Sequence, residues 1–247
     1  MDVQTIMFLG IGAIAGGFIN GLSGTGTALF ALGFYLVVLD PVTAVAIVAL
    51  MSVLAGLQGV WIVRAEIFAQ PRRLLRFVLP GLLGIPLGLS LLNVIDAGTL
   101  RIAIAVMLIV YGGYFGFRAA LPAFSRPTPW IDKGVGFVGG VCGGVGAVSG
   151  AFPAMWLSIR PWTKSETRAV LQPFNVVILS TTICLLALRG AYDATAVQAL
   201  LLTVPVGLVA AQVGIMVFRK LTDTGFRRLL IILTLLMGLG VLASELF

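Results

Sequence analysis

The chain has 247 residues, of which 60% are hydrophobic and 10% are charged, and its formal net charge is +7. Soluble domains are about half apolar and about one quarter charged, so this composition excludes a water-soluble enzyme or binding module. It predicts an integral membrane protein, in which the excess of basic residues is expected to report orientation rather than nucleic-acid binding.

Eight stretches without a charged residue follow one another along the chain. They are residues 3–39, 41–63, 77–95, 102–117, 134–159, 169–188, 194–218 and 229–244. Most are close to the roughly 20 residues that an α-helix needs to cross about 30 Å of hydrocarbon. A transmembrane β-barrel would show shorter segments of alternating polarity. The sequence therefore predicts an all-α membrane protein with about eight spans.

The first stretch contains the glycine-rich segment NGLSGTGTALF at residues 20–30. Similar loops cradle phosphates in nucleotide-binding proteins, but those loops follow a strand and carry a lysine. Neither feature accompanies residues 20–30, so we interpret the glycines as a break in a membrane helix, after which a short helix starts. Residues 3–39 are long enough for either a re-entrant hairpin or a full span followed by a short returning helix.

Lysine and arginine concentrate in four connections, residues 64–76, 118–133, 160–168 and 219–228, which hold 14 of the 16 basic residues. The positive-inside rule places these connections in the cytoplasm. Residues 134–159 then start and end on the cytoplasmic side, and they are too few for two complete crossings. We therefore predict a re-entrant hairpin of two half-helices there, and extracytoplasmic positions for both chain termini.

The two halves of the chain resemble each other. GGFINGLSGTG at residues 16–26 matches GGVCGGVGAVSG at 139–150, and the pattern D-x-G-x-x-R occurs at 96–101 and again at 223–228. The first copy of D-x-G-x-x-R is predicted outside and the second inside, which indicates an internal duplication with inverted topology. We expect the aspartate of each copy to cap the helix that follows it.

The predicted architecture is two inverted-topology transmembrane repeats, at residues 1–120 and 134–247, joined by a cytoplasmic linker at 121–133. Together the repeats contain six full transmembrane helices and two broken or re-entrant glycine-rich segments. Irregular backbone inside a bilayer is tolerated only where it lines a cavity or is buried in protein. Each glycine-rich segment is therefore expected to border an internal site.

After each glycine-rich break, a half-helix is expected to start near the middle of the membrane. Its first-turn N–H groups lack intrahelical partners and its dipole is positive at this end, so two such ends together would suit a small anion. The polar residues expected to cap these ends or to contact the anion are Ser23, Thr25, Thr27 and Ser149, with Asn20 as a further contact. The alternative is that the glycines serve only close helix packing and the hydroxyls only capping.

A polar stripe runs along the span that follows the second break. Arg168, Gln172 and Asn175 are spaced i, i+4 and i+7, which places them on one face of a helix, and Thr182 extends that face. We predict that Arg168 lies at the cytoplasmic mouth and that the stripe guides an anion toward the half-helix ends. The alternative is interhelical hydrogen bonding by Gln172 and Asn175 and a topogenic role for Arg168.

The predicted substrate-binding residues are thus Asn20, Ser23, Thr25, Thr27, Ser52 (the first-repeat mate of Asn175), Ser149, Arg168, Gln172 and Asn175, with Gln58 as a further candidate.

Three segments carry a resemblance to a known family. GGFINGLSGTGTALF at residues 16–30, GGVCGGVGAVSGAFPAMW at 139–156 and RAVLQPFNVVI at 168–178 resemble the sulfite exporter TauE/SafE family of bacterial membrane permeases. The resemblance covers essentially the whole chain. It implies a multi-pass protein of the bacterial inner membrane that moves sulfite, sulfoacetate or related organosulfur anions.

The distribution of ionisable residues narrows the mechanism. No Asp, Glu, His or Lys lies inside an apolar stretch, whereas proton-coupled pumps usually need such a relay. An anion leaving a negative-inside cell gains about 2.3 kcal/mol per charge per 100 mV, so export needs no coupling ion. We therefore predict an alternating-access exporter of small sulfur-containing anions.

Other classes of function are less compatible with the sequence. An intramembrane enzyme would need a nucleophile–base pair or a metal cluster, and the chain has no histidine. An anion channel, a carrier for another small organic anion and a non-transport scaffold remain alternatives. The expected partners are the small anion and the lipid bilayer, a homo-oligomer is compatible with the sequence, and no metal, cofactor or nucleic acid is expected.

Overall fold

The structure is a computed structural model that describes residues 2–91, 97–116 and 124–246. These ranges contain eleven helices and no strand, which confirms the all-α prediction. The helices are α1 Val3–Ser23, α2 Thr27–Tyr35, α3 Pro41–Ile62, α4 Arg64–Ala69, α5 Pro71–Leu91, α6 Ala97–Gly116, α7 Pro129–Gly146, α8 Ala151–Ser158, α9 Lys164–Leu188, α10 Ala194–Lys220 and α11 Asp223–Leu246.

Four helices in the described part of the chain are long and apolar enough to cross a membrane. They comprise Val3–Ser23, Val42–Ile62, Lys164–Leu188 and Ala194–Lys220. The chain is therefore a multi-pass membrane protein. The predicted number of eight spans stays a prediction, as does the boundary between the predicted repeats, since residues 117–123 lie outside the described ranges.

Side-chain caps explain where several of these helices begin. The carboxylate of Asp40 accepts hydrogen bonds from the backbone N–H groups of Val42 and Thr43, at 3.1 and 3.0 Å. Asp193 caps α10 in the same way, and Thr163 forms a capping box at the start of α9. Each cap satisfies N–H groups that would otherwise have no partner, which stabilises the helix ends at these connections.

The glycine-rich segment of the first half is a hairpin of one long and one short helix. α1 has 21 residues and α2 has 9, and α2 runs back along α1, since Thr27 contacts Gly16 and Tyr35 contacts Gly12. The turn between them contains Gly24 at φ 88° and Gly26 at φ 95°, a backbone conformation that strongly favours glycine. Residues 3–39 thus form the second of the two alternatives, a helix of full-span length followed by a short returning helix.

The second glycine-rich segment differs from the prediction in the length of its first arm. α7 starts at Pro129, inside the predicted linker, and its 18 residues extend about 27 Å, which is longer than a half-helix. Only α8, with 8 residues, is short. The charged residue Asp132 is accommodated in α7 because its carboxylate accepts a hydrogen bond from Trp156 Nε1 at 2.8 Å.

The expected role of the D-x-G-x-x-R aspartates is wrong for the second copy. Thr222, not Asp223, caps α11, because its hydroxyl oxygen accepts a hydrogen bond from Gly225 N at 3.0 Å. The carboxylate of Asp223 instead accepts a hydrogen bond from the backbone N–H of Lys164 at 2.8 Å and so ties α11 to the start of α9. Asp96 of the first copy lies outside the described residues.

Small residues hold two helix pairs in close backbone contact. α1 packs on α10, with Gly17 against Gly207, and α5 packs on α7, with Gly81 against Gly140. A Cβ at Gly17 or at Gly140 would overlap the facing carbonyl oxygen. Such glycines let membrane helices approach closely enough for extensive van der Waals contact, which is the main attraction available in lipid.

Two further pairs run antiparallel. In the α3–α9 pair, Gly59 contacts Gln172 and Gly56 contacts Val176. In the α6–α11 pair, Gly112 lies against Leu235 and Gly238 against Ile109. All four pairs join a helix from the first half of the chain to one from the second half, so the two halves interlock throughout the core.

Candidate functional site

The two helix breaks meet beside the middle of α9. Gly150, at the second break, packs so closely on Thr25, at the first, that a Cβ would overlap the Thr25 hydroxyl. Asn175 Oδ1 accepts hydrogen bonds from Ser149 Oγ at 2.6 Å and from Thr25 Oγ1 at 3.4 Å. Because Asn175 is one residue from the midpoint of α9, the breaks lie at the centre of this helix.

A second network of side chains continues from this point toward the start of α9. Arg168 Nε donates to Gln172 Oε1 at 2.7 Å, and Gln172 Nε2 donates to Asn20 Oδ1 at 3.1 Å. Asn20 Nδ2 in turn donates to Thr27 Oγ1 at 2.8 Å and to the carbonyl oxygen of Ser52 at 3.3 Å. The network therefore connects α9 with α1, α2 and α3 and fixes the side chains that surround the first break.

The hydroxyl groups at the breaks do not cap the short helices, contrary to one of the two expected roles. The N-cap residues of α2 and α8 are Gly26 and Gly150, and neither helix start receives a side-chain cap. Ser23 Oγ instead donates to the carbonyl oxygens of Ile19 and Thr25, at 2.9 and 2.8 Å. The first-turn N–H groups and the positive dipole ends of α2 and α8 thus remain uncapped by side chains at the point where the breaks meet.

Arg168 carries a positive charge that the described residues do not neutralise. The side chain is fully buried and its guanidinium lies over the ring of Phe218, with Cζ 4.3 Å from the ring centroid. Nη1 and Nη2 have no hydrogen-bond partner, and no described carboxylate forms an ion pair with them. A buried cation without a counter-ion is strongly unfavourable in a protein interior, so this arrangement indicates an anion site.

Phe218 on α10 covers Arg168, so the predicted cytoplasmic mouth is not open at this residue in the structure. A cavity of about 190 Å³ lies just beyond the site, next to Ala169, and Arg73 and Glu166 line it. These two side chains form an ion pair of 2.6 Å on this cavity. Access to Arg168 from this end is closed in the structure, because none of its side chain is exposed.

All nine predicted substrate-binding residues are buried, and none is more than 3% exposed. Eight of them contribute side chains to the two networks or to the turn between α1 and α2, whereas the contact described for Ser52 is through its backbone oxygen. The two further candidates, Thr182 and Gln58, make other contacts. The hydroxyl of Thr182 donates to Ile178 O at 3.1 Å within its own helix, and Gln58 accepts from Gln212 Nε2 at 2.9 Å.

The structure adds residues that sequence reasoning missed. Gly59 leaves space for Gln172, since a Cβ at this position would overlap Gln172 Oε1, and Gly24 also contacts Gln172 and Arg168. Phe218 is one apolar residue in an apolar stretch and gives no signal by itself. Gly59 and Phe218 become recognisable only when the pairing of α9 with α3 and α10 is known.

The short helix α8 is held at its far end by two arginines. Arg227 Nε donates to Ser158 O at 2.8 Å, and Arg160 Nη1 donates to the carbonyl oxygens of Phe124 and Arg126, at 3.0 and 2.7 Å. Basic groups near a helix C-terminus are favourable because the dipole is negative there. These contacts fix the position of α8 and therefore of its N-terminus in the site.

The groups in the site can bind a ligand but offer no catalytic pair. They are one guanidinium, three side-chain amides, four hydroxyls and two helix N-termini. Among the described residues there is no cluster of His, Cys, Asp and Glu that could hold a metal ion, and both cysteines are free. The guanidinium, amides, hydroxyls and helix N-termini could bind an anion through charge-assisted hydrogen bonds.

A family model matches nearly the whole chain. The model of the sulfite exporter TauE/SafE family covers residues 8–241, which include both helix breaks and every residue of the site. No curated protein and no solved structure matches the chain. The family match confirms the resemblance that three segments of the sequence indicate.

Proposed function

Because this chain belongs to the sulfite exporter TauE/SafE family, we propose that it exports small sulfur-containing anions such as sulfite or organosulfonates. Proteins of this family are membrane transporters of sulfur anions and not enzymes, so membrane transport follows from membership. The export direction and the substrate are the proposal. The observation that supports an anionic substrate is the buried guanidinium of Arg168, which has no ion-pair partner among the described residues and lies beside two helix N-termini without side-chain caps. The export direction rests on the negative-inside membrane potential.

In this proposal the anion occupies the region between Arg168 and the meeting point of the breaks. Nη1 and Nη2 of Arg168 form a planar fork that suits two oxygens of one oxyanion. Gln172, Asn20 and Asn175 hold the surrounding geometry, and the first-turn N–H groups of α2 and α8 supply further donors. A sulfite or sulfonate group presents three oxygens, so it can use the fork and the N–H donors at the same time.

We further propose that two inverted repeats rock about this site. The pairs α3–α9 and α6–α11 are repeat mates that run antiparallel, as expected for a two-fold axis in the membrane plane. The same axis relates the α1–α10 pair to the α7–α5 pair. A rocking motion of one half against the other would open the site to each side in turn, whereas a continuously open channel is disfavoured because all nine residues are buried.

The orientation that we propose has the basic connections in the cytoplasm of a bacterium and both termini outside its inner membrane. Basic residues of two of these connections contact tryptophans at the ends of neighbouring helices. Arg64 lies over the ring of Trp61 at 4.2 Å, and Lys133 lies over that of Trp130 at 4.2 Å. Basic and tryptophan side chains of this kind concentrate where a helix leaves the hydrocarbon region.

Thermal stabilisation of the purified protein tests the proposed substrate class. We expect sulfite, and at least one of thiosulfate, sulfoacetate, isethionate and taurine, to raise the melting temperature in a concentration-dependent way. Ser149→Ala and Gln172→Ala should weaken this effect, because Ser149 and Gln172 position Asn175 and Arg168. If the anions stabilised both variants as much as the wild type, the proposed location of the site would be wrong. If no anion of the panel stabilised the protein, the proposed substrate class would be wrong.

A further inference from the structure

We propose that this protein is an obligatory anion exchanger, which returns across the membrane only when an anion occupies its site. This inference rests on the proposed function and goes beyond it, because a transporter of one anion can equally well return empty. The reason lies in the charge of Arg168 and in the closed state of the site.

The positive charge cannot leave the site when the anion leaves. Arg168 is fully buried, its Nε donates to Gln172 at 2.7 Å, and its other two nitrogens have no partner in the described part of the chain. The guanidinium is also held against the Phe218 ring. It is therefore a fixed, buried charge near the start of α9 in the closed structure.

The acidic residues near this end of α9 are committed to other groups. The carboxylate of Glu166 binds Arg73 at 2.6 Å and the backbone N–H of Thr163 at 3.0 Å. The carboxylate of Asp223 accepts from Lys164 N at 2.8 Å. Asp132 lies near Arg160 and accepts from Trp156. No described carboxylate is thus available to neutralise Arg168 when the site is empty, and Glu66, which borders the adjacent cavity, does not form an ion pair with it.

The two forms of the closed state therefore differ greatly in free energy. With an anion bound, the guanidinium has a counter-ion and its free N–H groups are satisfied. Without an anion, the same closed state buries an unpaired charge, which is strongly unfavourable. Because alternating access passes through a closed state, the loaded carrier crosses readily and the empty carrier crosses slowly.

This property replaces the expectation, drawn from the membrane potential alone, that export needs no coupling ion. Each sulfur anion that leaves must be followed by the entry of another anion. The membrane potential then drives export only to the extent that the outgoing anion carries more negative charge than the incoming one. A gradient of the incoming anion supplies the remaining drive.

Tracer efflux from proteoliposomes tests the exchange. Vesicles containing the full-length protein are loaded with radiolabelled sulfite and diluted into buffer with either unlabelled sulfite or lactobionate as the only anion. Potassium is kept at the same concentration on both sides and valinomycin is added, so that a membrane potential does not build up and limit efflux. We expect efflux into sulfite to be about tenfold faster or more than efflux into lactobionate, since each 1.4 kcal/mol of barrier is a factor of ten.

Equal efflux into the two media would overturn the exchange proposal. If sulfite still stabilised the protein in that case, the proposed function would stand and only the obligatory exchange would be wrong. Absence of both stabilisation and tracer movement would contradict the proposed function and the exchange together. Arg189→Gln, at the exposed far end of α9, is the control variant, and its ratio of the two rates should equal that of the wild type.

Discussion

Replacing Arg168 with glutamine is expected to abolish sulfite transport and, at the same time, to raise the melting temperature of the ligand-free protein. Transport should fall by about 100-fold or more, because removing one partner of a buried charged hydrogen-bonded pair costs about 2–5 kcal/mol. The ligand-free protein should gain stability, because the buried charge without a counter-ion disappears. Tracer uptake and thermal unfolding without sulfite measure the two effects.

The opposite signs of these effects separate a binding role from a structural one. If Arg168 served only to hold α9 against Phe218 on α10, its loss would lower both activity and stability. Arg189→Gln removes an exposed arginine from the end of the same helix and should leave both measurements unchanged. A variant at Arg168 with normal transport would contradict the placement of the anion.

Replacing Gly150 with alanine is expected to separate the two helix breaks and to reduce transport at least about tenfold. The added Cβ would overlap the Thr25 hydroxyl, so the breaks must move apart and Asn175 would lose its contact with Thr25 or Ser149. Forcing an extra methyl group into a packed interior also costs about 1–3 kcal/mol of the free energy of unfolding. Tracer uptake and thermal unfolding of the variant measure the two effects.

The control for this experiment is the nearby Gly146→Ala. Among the described residues a Cβ at Gly146 meets only Val148, at 3.9 Å, so alanine fits there without displacement. Transport by this variant should be close to that of the wild type. Equal activity of the two variants would show that close contact of the breaks is not needed for transport.

Part of the site could be predicted because its signals are local. The spacing of Arg168, Gln172 and Asn175 places them on one helix face whatever surrounds the helix, and the structure brings all three to the breaks. The glycines at positions 24 and 26 signal a helix break in the same way, because their backbone angles are ones that other residues rarely adopt.

The remainder depends on which helices pack together, and local patterns do not contain that information. Arg168 is closed off by Phe218, fifty residues away in the chain, and Gln172 fits only because Gly59 faces it. Capping is one of the two roles expected for the hydroxyls, but Asn175 and Asn20 lie near enough to form hydrogen bonds with those of Ser149, Thr25 and Thr27 instead. Tertiary contacts thus decided both the burial and the partners of these side chains.

The proposed function depends on an anion that binds between Arg168 and the meeting point of the helix breaks. Selenite has the shape and charge of sulfite and contains an anomalous scatterer, so a crystal structure of the protein with selenite would locate the anion directly. We expect an anomalous selenium peak beside Arg168, with selenite oxygens about 2.7–3.2 Å from Nη1 or Nη2. A peak elsewhere in the membrane-spanning region would contradict this placement of the anion. No peak at Arg168, at a selenite concentration that inhibits sulfite transport, would contradict it as well.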